Sequence, residues 1–416
     1  MAMMTAFTEL NSLILGEDGV YRGAESPPFN YSDGVESEQK LAKILAAASN
    51  LSSDSVELDA QIVDWPTEYH LSSTRANLLR GLNLDGVTHV LELGCGCGSI
   101  SRFLGEQPGL KVDSVEGSPS RAALAALRCR DLDNVSISTG NFNQMAFPKN
   151  HYDLVLFVGV TEYAGRFSER ETDQQALQDL LGLAKSTMSA KGVVFVAIEN
   201  RTGLKYLMGA GEDHYALPYV GLDDYPESTG IRTYSKSQWE VQIQQAGFAA
   251  SRFAYPFPDY KVPTLLIADD TEQARAQSNV ALAKIRSRDY MAPFDLGDQE
   301  ARLWQGVLEA GCLAEFANSF IILLGQDSLH LEQMLNFDVI EYEPGPSYLK
   351  PSAAEVSELD APPIGKSAEV KELLSQIDAL HQHAASLQSR VDIITRSRSW
   401  GLINRLRVLL GKSSIS

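Results

Sequence analysis

Val90-Leu91-Glu92-Leu93-Gly94-Cys95-Gly96-Cys97-Gly98 is an apolar run with one acid in it that breaks into glycines at every second position. Such a run reads as a buried strand turning sharply into a helix. Glycines there permit a tight turn and let the backbone approach a ligand lying over the carboxyl edge of the strands. A dinucleotide site uses a related turn, so the glycines alone decide little. Two details do. The spacing is G-x-G-x-G rather than G-x-G-x-x-G, and Glu92 stands two residues before the first glycine. A carboxylate at that strand end would repel a pyrophosphate and suits a cationic group such as an ammonium.

The neighbouring segments repeat the pattern. Val112-Asp-Ser-Val115-Glu116-Gly117 places an acid at the end of a second strand, where doubly wound folds hold a ribose diol. A third strand ends at Gly140-Asn141-Phe142, an amide and a ring suited to an adenine. A fourth runs from Tyr152 to Val158 and opens through Gly159-Val-Thr-Glu162-Tyr163. Around these, the patterning predicts strands at Thr88–Leu93, Lys111–Glu116, Val135–Thr139 and Gly192–Ile198. It predicts helices at Ser99–Glu106, Arg121–Asp131 and Asp173–Met188. Strands alternating with helices predict an α/β fold, a doubly wound Rossmann-like parallel sheet covered on both faces. Later come a helix at Ser235–Ala246 with Ser235 as N-cap, strands at Phe253–Phe257 and Thr264–Ala268, and a helical insertion at about 271–316. Phe320–Leu324 is read as the last strand.

The organisation that follows is a helical N-terminal cap over 1–82, the sheet domain over 83–340 and a proline-rich linker over 341–368. A coiled coil over 369–395 and a basic amphipathic tail over 396–416 complete it. The heptad has Val370, Ile377, Ala384 and Val391 at a, with Leu373, Leu380, Leu387 and Ile394 at d, and predicts a homo-oligomer through 370–394. The 416 residues carry a net charge of -19, yet residues 390–416 carry +5, so the rest of the chain carries -24. An acidic body argues against a nucleic-acid partner. The basic stretch 396–412, with Trp400 and several leucines, suits peripheral contact with an anionic membrane surface. The first residues lack a signal-peptide pattern and there are four cysteines, so the expected setting is the cytoplasm, at or near the inner face of the membrane.

Over residues 85–200 the chain resembles the class I S-adenosylmethionine-dependent methyltransferases. That resemblance implies S-adenosylmethionine as cofactor. Glu92, Gly94, Cys95, Gly96 and Gly98 would meet its methionine end, Glu116 and Gly117 its ribose, and Asn141 and Phe142 its adenine, with Val158 on the adjoining strand. Shorter patches resemble a subgroup associated with bacterial O-antigen and surface-polysaccharide biosynthesis. They are Trp65-Pro-Thr-Glu-Tyr69-His70-Leu-Ser-Ser-Thr-Arg75, Glu199-Asn200-Arg-Thr-Gly-Leu-Lys205-Tyr206, Glu212-Asp213-His214 and Tyr255-Pro-Phe-Pro-Asp259-Tyr260. The implied reaction is O-methylation of a sugar hydroxyl, on a glycan or a lipid-linked sugar.

A sugar hydroxyl is a poor nucleophile at neutral pH and benefits from a general base. His214 is the expected base, oriented by Glu212 or Asp213, with Glu162 as the second catalytic group and His70 as the rival base. Tyr69, His70, Arg75, Glu199, Asn200 and Asp213 are the expected substrate contacts. Replacement of an Asp/Asn-Pro-Pro-Tyr run by Gly159-Val-Thr-Glu162-Tyr163 favours an oxygen acceptor over a nucleic-acid amine. No metal site is expected: Cys95 and Cys97 lack a second ligand pair, and their turn simply wants small residues. Another class of function, an assembly factor with a vestigial methyltransferase fold that recruits polysaccharide enzymes to the membrane, is disfavoured by the intact Glu92 and glycine loop.

Overall fold

The structure, a computed structural model, describes residues 8–23, 34–269 and 271–348. The expected coiled coil and basic tail lie outside the described residues. Eleven strands form the main sheet: β1 (Ile14–Leu15), β2 (Val20–Arg22), β3 (His89–Leu93), β4 (Lys111–Glu116), β5 (Val135–Thr139), β6 (Tyr152–Val158), β7 (Met188–Glu199), β8 (Ala250–Phe257), β9 (Leu265–Ile267), β10 (Ser319–Gly325) and β11 (Val339–Glu341). Their order across the sheet is β11-β9-β8-β10-β7-β6-β3-β4-β5-β2-β1. The sequence order reverses between β3 and β6, which opens a crevice at their carboxyl ends. β2 to β7 run parallel where they pair, whereas β10 is antiparallel to both β7 and β8.

This corrects the expectation of a wholly parallel sheet. Phe320–Leu324 does form part of a strand, but it lies between β7 and β8 and runs the opposite way, and β11 follows it in the chain. A continuous apolar run buried on both faces has no signature of direction. The cap is not purely helical either, because β1 and β2 extend the sheet beyond β5. The predicted linker also starts late. Residue 341 ends β11, Tyr342 donates its amide to Thr264, and Ser347 donates to Glu68 at 3.2 Å.

The helices lie where their caps put them. α1 (Val35–Ala47) and α2 (Trp65–Leu71) lie between β2 and β3 in the chain, and Asp64 and Thr67 form a capping box for α2. α3 (Ser99–Gly105) starts at Gly98, α4 (Pro119–Arg128) has Pro at its first turn, and α5 (Asp173–Thr187) is capped by Thr172. α6 (Lys236–Gln245) has the anticipated Ser235 cap, closed into a box with Gln238. The insertion consists of α7 (Glu272–Lys284), α8 (Asp298–Glu309) and one short helix, with an irregular stretch at 285–297.

The cap is joined to the sheet by an apolar cluster of Leu41, Leu45, Leu58 and Leu71 packed on Leu124 and Cys97. Arg128 reinforces this joint. Its guanidinium is 1% exposed and donates to the carbonyls of Leu51 at 3.1 Å, and of Ser52 and His70 at 3.4 Å each. Burial lowers its pKa to about 10, a sign that the three carbonyls only partly replace lost water. Arg128→Ala would leave these carbonyls unpaired and open a cavity. We expect a loss of about 2–4 kcal/mol in a denaturant titration, with the cap becoming more protease-sensitive than the sheet. A loss below about 0.5 kcal/mol would show that the apolar cluster alone holds the cap.

Candidate active site

Four strand ends converge on one cavity of ≈ 240 Å³ at the carboxyl edge of the sheet. β3 supplies Glu92 and the glycine turn, β4 supplies Glu116, β6 leads to Glu162, and β7 ends at Glu199. The turn needs its glycines. Gly94, Gly96 and Gly98 have φ of 85°, 57° and 82°. A Cβ on Gly94 would lie 2.4 Å from a methyl of Val160, and one on Gly98 would lie 2.8 Å from the Cα of Ala125. Gly94, Cys95 and Gly96 line the cavity; Gly98 instead sets the packing of α3 on α4.

The two cofactor-side acids are held differently. Glu116 accepts the amide of Gly96 at 2.8 Å on one oxygen and that of Ser118 at 2.9 Å on the other, so it bridges the ends of β3 and β4. Glu92 accepts the hydroxyls of Ser101 at 2.5 Å and Ser114 at 2.9 Å. Burial outweighs both bonds and raises its pKa to about 7. Gly117, Phe142 and Val158 line the cavity. Asn141 does not: its side chain accepts the amide of Asn143 at 3.0 Å and caps a short turn, and Asn143 lines the cavity in its place. An Asx cap is a local competitor for any Asn at a strand end.

At the other end, Glu162, Glu199, Asp213 and His214 come together. His214 Nδ1 lies 3.1 Å from Glu212 Oε1, and His214 Nε2 lies 3.7 Å from Glu162 Oε1. Of the two acids weighed as orienter, Glu212 takes that place. Asp213 pairs with Lys205 at 3.0 Å and Lys261 at 2.5 Å. Burial would lower the His214 pKa, but Glu162 and Glu212 override it and raise it well above the ordinary range. Burial raises Glu162. Asp213 is depressed despite burial, because Lys205 and Lys261 stabilise its charge. Lys261 also bonds Glu199. Oε2 of Glu162 and Oε2 of Glu199 are buried and have no partner.

The cap roofs the cavity with Trp65, Tyr69, His70 and Arg75. Arg75 lies 4.3 Å over the Tyr69 ring and donates to the carbonyls of Tyr260 and Lys261, at 3.3 and 2.5 Å. His70 faces Cys97 at 3.8 Å, on the glycine-loop side, which separates it from the His214 group. Asn200 is not in the lining: its amide donates to the carbonyls of Glu315 and Ala317, so it is a structural tie rather than a substrate contact. Lys261, Tyr260 and Trp65 were not singled out from sequence. Two stood inside quoted patches, and Lys261 directly follows one of them. All four cysteines are free, and no helix among the described residues is long and apolar enough to cross a membrane.

Residues 90–181 match the family model described as a methyltransferase domain. Over this segment the chain is similar to methyltransferase domains. No curated protein matches the chain. Phosphoethanolamine N-methyltransferase 2 of Haemonchus contortus, solved with S-adenosyl-L-methionine, is 15% identical at a TM-score of 0.37, with 70% of this chain and 57% of that one covered. A SAM-dependent methyltransferase of Archaeoglobus fulgidus is 16% identical at 0.33, covering 57% and 86%. A putative methyltransferase of Haloferax volcanii, solved with its Trm112 activator, is 14% identical at 0.38, covering 71% and 99%. The chain spans about half the length of the nematode enzymes, at 49% and 57%.

The cleft fits S-adenosylmethionine, the cofactor that the sequence resemblance implies. Glu92 and the glycine turn would hold the methionine end, Glu116 the ribose, and Phe142 with Asn143 the base. An ammonium favours ionised Glu92, so binding must expel the proton that Glu92 retains below about pH 7. Affinity for S-adenosylhomocysteine should therefore weaken as pH falls from 8 to 6, by up to about tenfold per unit on the acid side. Calorimetry in buffers of different ionisation enthalpy should register proton release, and Glu92→Gln should remove the pH dependence. A flat profile in the wild-type chain would detach Glu92 from the ammonium.

Proposed function

We propose that the protein is an S-adenosylmethionine-dependent O-methyltransferase acting on a sugar hydroxyl of a bacterial surface glycan. The observation that carries this reading is the far end of the cavity, where Glu162 and Glu199 each turn a buried, unpartnered carboxylate oxygen beside His214. An acceptor that brings hydroxyl donors satisfies both oxygens; an anionic acceptor would be repelled. Aromatic faces from Trp65, Tyr69, Tyr163 and Tyr260 border the same space and suit the apolar faces of a sugar ring. The patches that resemble the polysaccharide-associated subgroup contribute Trp65, Tyr69, Glu199, His214 and Tyr260 to this cavity, with Glu212 behind His214.

When bound, the cofactor supplies an electrophilic methyl group on a sulfonium. The chain's task is to position the hydroxyl and to ease loss of its proton. Glu162 Oε2 is free to accept that hydroxyl, and His214, fixed by Glu212, backs the other oxygen of Glu162. Lys261 and Lys205 neutralise Asp213 and help keep the carboxylates in place without filling their free oxygens. Beyond the cavity, we read residues 370–394 as an oligomerisation helix and 396–412 as a membrane-surface contact that would hold the site near lipid-linked acceptors.

The direct test is methyl transfer from labelled S-adenosylmethionine to glycan extracts of a deletion strain, followed by linkage analysis. A labelled O-methyl sugar is expected; label only on nitrogen, or on no sugar, would overturn the assignment. His214→Ala should lower turnover about a hundredfold or more while S-adenosylhomocysteine affinity stays within about twofold. Glu116→Ala should do the reverse, weakening S-adenosylhomocysteine by roughly 1–3 kcal/mol through lost charge-assisted hydrogen bonds. Equal effects of both variants on both measurements would dissolve the division of the cavity into two ends.

A further inference from the structure

We infer that Glu162, Glu199 and His214 form a divalent-cation site at the acceptor end of the cavity, completed by oxygens of the acceptor. The inference rests on reading that end as the acceptor site, and it assigns to a metal ion the polarising of the hydroxyl. Each of the three residues offers one ligand atom, and these atoms all lie within 4.8 Å of one another. Ligands of one ion at about 2.1 Å stand roughly 3 to 4 Å apart, so the group needs only small closure. The 3.7 Å between His214 Nε2 and Glu162 Oε1 fits that spacing. It is too long for a hydrogen bond.

Three further observations point to a cation. Glu162 and Glu199 are 3% and 1% exposed, both line the cavity, and each keeps one buried carboxylate oxygen without a hydrogen-bond partner. Burying such oxygens without a partner costs free energy that a bound ion would return. Next, His214 is held as metal-bound imidazoles are held, with its other nitrogen against a carboxylate, Glu212 Oε1 at 3.1 Å. Glu212 is itself fixed by the amides of His214 and Tyr215 and by the Tyr225 hydroxyl, at 2.8, 3.1 and 3.2 Å. That leaves Nε2 turned toward Glu162.

The third is charge. Glu162, Glu199, Glu212, Asp213 and Asp259 are all buried in this region, five acids against the ammonium groups of Lys205 and Lys261 and the imidazole of His214. Both lysines are spent on Asp213, Asp259 and Glu199 Oε1. Neither reaches Glu199 Oε2, which has no partner. One divalent ion would answer this surplus. One imidazole and two carboxylates suit Mn2+ better than Ca2+, and three protein ligands leave positions open toward the acceptor.

Full-length protein stripped by chelator and saturated with S-adenosylhomocysteine should bind one Mn2+ per chain, followed by calorimetry and by the quenching of the free-ion electron paramagnetic resonance signal. Glu162→Gln and His214→Ala should each weaken Mn2+ at least about a hundredfold, with S-adenosylhomocysteine affinity and thermal midpoint close to wild type. Absence of saturable Mn2+ binding to the wild-type chain overturns the site, as does binding unchanged in both variants. If either variant fails to fold, Glu199→Gln serves in its place. Sugar methylation that proceeds undiminished in chelated protein removes the metal and leaves the O-methyltransferase reading standing. Stoichiometric Mn2+ binding without sugar methylation keeps the site and removes that reading.

Discussion

The carboxylate of Glu116 ties the two halves of the cofactor cleft together, and the remaining geometry of the site depends on that tie. By accepting one amide from the glycine turn and another from the start of α4, it fixes the distance between the ends of β3 and β4. The turn could not follow its path with side chains, since Gly94 already abuts Val160 on the next strand end. Val160 in turn leads into the segment that carries Glu162. A constraint placed at Glu116 is thus passed through the glycine turn and the Val160 side chain to the segment that carries Glu162.

The cavity is electrostatically divided. At the glycine turn Glu92 sits under two hydroxyls, and burial brings its pKa to about 7. At the far end five carboxylates, two lysines and a histidine share a buried region. Their desolvation is costly, and structural ion pairs alone seldom justify it. Two carboxylate oxygens of this region, on Glu162 and Glu199, have no hydrogen-bond partner, and the proposed acceptor site rests on them. The cap residues Trp65, Tyr69 and Arg75 cover this end, and Arg75 fastens the roof to the backbone that carries Lys261.

Much of this was legible in the sequence where local pattern carries the information. Strands at Lys111–Glu116, Val135–Thr139 and Tyr152–Val158 match to the residue, because each apolar run ends against a glycine, Gly117, Gly140 and Gly159. The glycine spacing with Glu92 and Glu116 located the cleft for the same reason. What stayed hidden depends on long-range placement. The direction of β10 is invisible in an apolar run, and strands as short as β1 and β2 carry no period. Asn200 looked available beside Glu199, yet tertiary folding brings it two carbonyls from 115 and 117 residues away. The choice between Glu212 and Asp213 likewise depends on Lys205 and Lys261 reaching Asp213 first. No spacing signals a trio drawn from positions 162, 199 and 214.

The central claim is that one cleft holds the cofactor between Glu92 and Glu116 and presents its reactive end to the Glu162–Glu199–His214 group. A crystal structure of the full chain with S-adenosylhomocysteine tests it most directly. The ribose hydroxyls should lie on Glu116, the amino group near Glu92 and the sulfur toward the end of the cavity lined by Glu162 and His214. A nucleoside lodged elsewhere, or one bound here with its sulfur turned away from Glu162, would contradict it.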